Sequence, residues 1–167
     1  MSKLTALAVS IAVLGGVWAF LALGPLAGNV LVWAGFIAWG CYFALGADTG
    51  ALQKTIVGMI YGAVIAGIAL ALVGANPLGL PGAAGPAVYI AVTVFLLVIV
   101  ANIPLLSAVP ANVYGYAATA AYALQTANAG SVTAMNLTNP VLLVIVSAIL
   151  GAIFGMLSGK LSGMLGK

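Results

Sequence analysis

The sequence predicts an all-α, polytopic membrane protein with six transmembrane helices, arranged as a 3+3 inverted repeat within one membrane domain, 1–167. Three observations predict it. Of 167 residues, 65% are apolar and 3% are charged, and the mean hydropathy is +1.33; a soluble domain needs roughly 25% charged residues to solvate its surface. Apolar runs recur at about the 20-residue length that carries a helix across a bilayer core about 30 Å thick. Finally, IVGMIYG at 56–62 returns as ILGAIFG at 149–155.

Reading apolar runs against Gly, Pro and Asn breaks gives spans near 4–24, 29–47, 54–74, 86–106, 110–127 and 139–160. Pro25 and Gly28-Asn29 close the first span, and Gly46 to Gly50 close the second. The Gly/Pro-rich segment 74–86 divides the chain near its middle. Pro104 and Pro110 bracket the fourth connection, and Thr138 or Asn139 is suited to cap the last helix with Pro140 in its first turn. Residues 1–24 carry Lys3 and then an apolar run of about 20 residues, longer than the usual signal-peptide core, so an uncleaved first span is expected.

The charges test this count. They are Lys3, Asp48, Lys54, Lys160 and Lys167. With six spans all four lysines fall on one side, and positive residues are retained in the cytoplasm. Both termini are therefore expected there. Four lysines and one acid also account for the pI near 9.2, so no nucleic-acid partner is expected.

Splitting at 74–86 leaves three spans on each side, in half-repeats of about 1–75 and 86–167. IVGMIYG lies in the third span and ILGAIFG in the sixth; CYFAL at 41–45 pairs more weakly with AAYAL at 120–124. Units with an odd number of spans must insert with opposite orientation, the inverted repeat common among transporters. Gly58 and Gly62, and then Gly151, Gly155, Gly159 and Gly163, recur every fourth residue. Helices in lipid associate through close backbone approach, so these glycines are expected to pack helices, within one subunit or between copies in a homo-oligomer.

Nothing in the chain points to catalysis. It has no His, one acid, no carboxylate pair and no phosphate-binding loop, and Cys41 is its only cysteine. No enzyme activity, cofactor or metal is expected. What remains is neutral polarity. An Asn in hydrocarbon needs a protein partner, water or a solute, and Asn102, Asn112, Thr119 and Asn139 are the leading solute-lining residues, with helix capping near the interface as the equal alternative for the asparagines. Phe36, Trp39 and Tyr116 are deeper aromatics suited first to core packing and otherwise to an apolar constriction. Asp48 and Lys54 are placed at the cytoplasmic mouth as an interfacial charge pair.

The stretches WAGFIAWGCYFALGAD (33–48), IVGMIYG and VPANVYGYA (109–117) make nearly the whole chain resemble a family of small bacterial inner-membrane proteins, the YcdZ-type group catalogued as a domain of unknown function. The resemblance implies an inner-membrane location and brings no functional residues. The expected function is a channel or facilitator for a small neutral or weakly acidic solute. The alternatives are a membrane subunit that binds a partner protein through its glycine faces, and a proton-coupled transporter using Asp48.

Overall fold

The computed structural model describes residues 1–166. Lys167, the last of the four lysines counted above, lies outside them. The described residues form six α-helices and no strand: α1 (Lys3–Leu23), α2 (Val32–Ala44), α3 (Thr49–Ala75), α4 (Ala84–Ile99), α5 (Val109–Gln125) and α6 (Pro140–Leu165). Three short 3-10 turns, Val100–Asn102, Pro104–Leu106 and Ala129–Thr133, complete the connections.

Four segments are long and apolar enough to cross a membrane: α1, α3, α6, and α4 continued through its first 3-10 turn to Asn102. The other two helices are shorter than the apolar runs that contain them. α2 covers 13 residues of an expected 29–47, a rise of about 20 Å against a core of about 30 Å. α5 has 17 residues. The fourth span also loses α-helical form at Ile99, five residues ahead of Pro104, and the chain continues as 3-10 turns. Proline disfavours helical geometry in the residue before it, and Ile103 is accordingly extended.

Helix ends follow local chemistry. Ser2 caps α1 by accepting from the Thr5 amide at 3.1 Å. Asp48 Oδ1 accepts from the Ala51 amide at 2.6 Å, which starts α3 five residues earlier than the apolar run suggests. Asn139 Oδ1 accepts from the Val141 amide at 2.8 Å, with Pro140 in the first turn of α6. α3 ends where Asn76 turns left-handed at φ 40, a conformation Asn tolerates, and Pro77 follows.

The most extensive packing joins α3 to α5 and α2 to α6, followed by α1 with α6. Two aromatic-rich polar contacts fix the α1–α2–α6 side. Trp18, fully buried, donates from Nε1 to the Val32 carbonyl at 2.9 Å, and Trp39 donates to Ser158 Oγ at 2.9 Å. Ser10 Oγ donates to the Ser158 carbonyl at 2.9 Å, which ties α1 to the last turns of α6. The two described ends of the chain lie side by side: a Cβ on Gly166 would stand 3.5 Å from the Lys3 Cα.

Candidate functional site

Glycine makes the two main helix contacts possible. A Cβ on Gly62 would collide with the backbone of Asn112 and Tyr116, and one on Gly115 with the backbone of Met59. A Cβ on Gly58 would lie 2.7 Å from Ala111 Cβ and 2.8 Å from Asn112 Oδ1. The α3–α5 seam is thus backbone against backbone, the close approach that small residues permit. On the other side Gly151 meets the Gly35 backbone, and Gly155 lies under Trp39 and Tyr42. Gly159 is in ordinary contact with the Tyr42 ring, whereas a Cβ on Gly163 would meet nothing within 4 Å. Gly35 and Gly115, the partners in these seams, are not part of any i+4 series, and spacing alone does not single them out.

Asn112 sits in the middle of the α3–α5 seam, fully buried. Its Nδ2 donates to the Leu97 carbonyl at 3.2 Å and the Leu106 carbonyl at 3.0 Å. The two acceptors flank the irregular connection between α4 and α5, where helix termination leaves carbonyls without an intrahelical donor. The amide therefore holds that connection against α5. Its carbonyl oxygen, Oδ1, has no partner, and neither has Thr55 Oγ1 on α3; both are shut away from solvent. Thr55 is a residue that sequence reasoning passes over, since a threonine inside an apolar helix ordinarily bonds the carbonyl of its preceding turn.

The other residues expected to line a solute path are dispersed. Thr119 is buried and donates to the Gly115 carbonyl of its own helix at 3.0 Å. Asn139 caps α6 and also donates to the Val132 and Ala134 carbonyls at 2.8 and 2.9 Å, pinning the preceding loop. Asn102 is exposed on its 3-10 turn. The structure does not gather Phe36, Trp39 and Tyr116 into a constriction. Trp39 turns its N–H toward α6, and the Tyr116 hydroxyl pairs with Thr93 Oγ1 on α4 at 3.1 Å. A buried aromatic with a polar tip goes where that tip is satisfied, and these two tips lead in opposite directions. Phe36 stacks on Trp39 with ring centroids 5.6 Å apart and stays 40% exposed.

Phe36 instead lines an apolar groove of about 560 Å³ between α2 and α5, with Trp33, Cys41, Tyr114 and Ala118 along its walls and floor. A second cleft, of about 420 Å³, lies at the end of the bundle that holds the chain termini, among α1, α2 and α6. It is lined by Tyr42, Asp48, Gly159, Lys160 and Ser162, so the lysine sharing the cleft with Asp48 is Lys160 of α6 and not Lys54. Asp48 directs one oxygen to its helix cap, and Lys54 is half-buried further along α3. A third groove, of about 270 Å³, is apolar and runs among α3, α4 and α5 past Ala66, Ala69 and Tyr116. Among the described residues no cluster of His, Cys, Asp or Glu is suited to a metal.

No curated protein and no solved structure matches the chain. One family does, over residues 8–163, described as a protein of unknown function (DUF1097). A match of that extent takes in α2 to α5 and most of α1 and α6, and the chain belongs to this family.

Proposed function

We propose that the chain is a small-solute channel or facilitator of the bacterial inner membrane, built from two inverted three-helix halves and passing a small neutral or weakly acidic molecule. The observation that carries this reading is the pair of short helices. α2 and α5 hold corresponding positions in the two halves, are the two helices outside the four segments long and apolar enough to cross a membrane, and line one groove together. Short or interrupted spans at corresponding positions are the usual mark of a binding site in inverted-repeat transporters.

The packing supports the two-half reading. Exchanging α1, α2, α3 for α4, α5, α6 turns the α3–α5 contact into α6–α2, and these are the two most extensive contacts in the bundle. The same exchange relates two grooves. Gly159 and Ser162 line the cleft among α1, α2 and α6, while Ala66 and Ala69 line the groove among α4, α5 and α3. Each of these residue pairs is separated by 93 positions, the offset between ILGAIFG and IVGMIYG. By the retention of positive residues, the end bearing Lys3 and Lys160 faces the cytoplasm, in keeping with the resemblance to the YcdZ-type group.

The α2–α5 groove opens sideways, so a second copy lying over it would complete the conduit, and a homo-oligomer belongs to the proposal. The partner-subunit alternative draws less support: Gly58, Gly62, Gly151 and Gly155 are occupied inside the chain. Proton coupling through Asp48 also draws less, because that carboxylate serves as a helix cap. Purified protein in liposomes provides the test. Osmotic swelling with water, urea, glycerol and short carboxylic acids should show at least one permeability above that of protein-free vesicles. If all four match the empty vesicles, the channel reading fails.

A further inference from the structure

The i+4 glycine series of α6 changes its task along the helix. Gly151 sits against the Gly35 backbone, and a Cβ on Gly155 would stand 3.1 Å from the Trp39 and Tyr42 rings. One turn further on, a Cβ on Gly159 would meet the Tyr42 hydroxyl at 3.7 Å and the Phe43 ring at 3.9 Å, ordinary contact distances. Packing therefore does not demand glycine at 159. What the missing side chain leaves is space: Gly159 lines the cleft of about 420 Å³ among α1, α2 and α6, within the size range of small-molecule sites, about 300–1,000 Å³.

The walls of this cleft are polar at one end and apolar at the other. Asp48, Thr49, Lys160 and Ser162 are the members nearest the end of the bundle that holds the chain termini. Leu7, Phe43 and Met156 lie about one helical turn deeper, and all three are half-buried. Both signs of charge are present, yet among the described residues Asp48 and Lys160 form no ion pair across the cleft. One Asp48 oxygen accepts from the Ala51 amide, which leaves the other free to accept. The turn that carries Asp48 is clamped from below: the Tyr42 hydroxyl donates to the Ala47 carbonyl, and the Ala47 amide donates back to the Tyr42 carbonyl at 3.0 Å. The clamp holds Ala47 at φ 57, a left-handed conformation rare outside glycine, and so fixes the point from which Asp48 enters the cleft.

We propose that this cleft binds the headgroup of a zwitterionic phospholipid of the phosphatidylethanolamine class. Asp48 receives its ammonium, Lys160 and the Ser162 hydroxyl receive its phosphate, and the first methylenes of its chains rest on Leu7, Phe43 and Met156. The order of groups along the lipid, charge first and hydrocarbon after, is the order of residues along the cleft. A primary ammonium is a donor only and a phosphate chiefly an acceptor, which matches an acceptor-only carboxylate and a donor-only lysine. Free phosphoethanolamine offers the same two charges but would use the polar end alone; the apolar end favours the lipid. The proposal rests on the membrane placement in the reading above, with the lysine-bearing end at a lipid–water interface, and not on conduction.

The purified protein in detergent is mixed with equimolar phosphatidylethanolamine and phosphatidylglycerol of identical chains, and bound lipid is counted by native mass spectrometry. The two lipids share the phosphate and differ in the ammonium. Phosphatidylethanolamine should be retained about tenfold over phosphatidylglycerol, the size of one charge-assisted hydrogen bond, whereas loose attraction to the lysines would favour the anionic lipid. Asp48→Asn, which keeps the α3 cap, should erase that preference. Lys160→Gln should weaken both lipids, and Gly159→Leu, which fills the cleft, should release both. Equal retention of the two lipids by wild type, or a preference that survives Asp48→Asn, would overturn the proposal. So would displacement of the lipid by an equal concentration of free phosphoethanolamine, since the apolar end would then contribute nothing. Should Gly159→Leu fail to fold, Asp48→Asn and Lys160→Gln still decide, because both alter exposed side chains. Selective retention by a protein that passes no solute would support this site while the channel reading fails. A chain that purifies without detergent would refute the membrane placement, and this proposal with it.

Discussion

Replacing Gly62 with alanine should open the α3–α5 seam, and the structure sets the size of the effect. The added methyl would overlap the Asn112 carbonyl oxygen and the Tyr116 amide nitrogen. These are backbone atoms in a helix, so no rotamer change relieves the overlap, and the two helices must move apart. Overpacking of this kind costs about 1–3 kcal/mol, and a backbone collision belongs at the upper end. Alanine returns about 0.8–1 kcal/mol through its better helix propensity. The net loss is then about 2 kcal/mol. Gly16 is the internal control, because a Cβ at that position on α1 meets nothing within 4 Å. Gly16→Ala should gain about 1 kcal/mol from propensity alone. Equilibrium unfolding in mixed micelles, followed by circular dichroism, would place the two variants on opposite sides of wild type. Finding Gly62→Ala as stable as Gly16→Ala would refute the seam described here.

Further outcomes follow from single contacts. Asn112→Leu removes two hydrogen bonds to the Leu97 and Leu106 carbonyls; at about 1 kcal/mol each, stability should fall by about 2 kcal/mol, with faster proteolysis within residues 100–108. Asp48→Ala should cost about 1 kcal/mol through loss of the α3 cap, while Asp48→Asn, an equally good cap, should melt close to wild type; if both fall alike, the charge and not the cap is what stabilises. Asn139→Ala removes the α6 cap and the bonds to Val132 and Ala134, and hydrogen exchange should speed up across the loop before α6 while α1 is unaffected. Trp39→Phe loses the bond to Ser158, and unfolding should show a loss of about 1 kcal/mol.

Helix boundaries show what hydropathy can and cannot tell. Pro25, Pro77 and Pro140 punctuate the chain where helices stop or start, because proline lacks the amide and fixes its own backbone. The same residue-by-residue reading overestimates α2. Val30 and Leu31 before it and Leu45 after it are apolar but lie outside the helix, packed from irregular backbone. Hydropathy records the environment of a side chain and not the path of its backbone.

The site divides in the same way. Asn112 stands out in the sequence because an amide in an apolar segment must be accounted for. Thr55 does not, since a threonine that pairs within its own helix and one that pairs with nothing look identical until the neighbouring helices are in place. The glycine spacing identifies one face of each seam; its partners, Gly35 and Gly115, become visible only when backbones are seen in contact.

The adjacency of the described ends has a consequence for connectivity. Gly166 lies beside Lys3 and Ala6, while Gly79 and Gly82 turn with positive φ in the exposed segment between the halves. A short linker joining the ends, with the chain cut at this segment, would give a circular permutant in which the second half is synthesised first. Every helix contact would be retained, and only the order of membrane insertion would change. For the proposed two-half membrane protein, such a permutant would ask whether the order in which the halves enter the bilayer, as distinct from how they pack, determines which side each one faces.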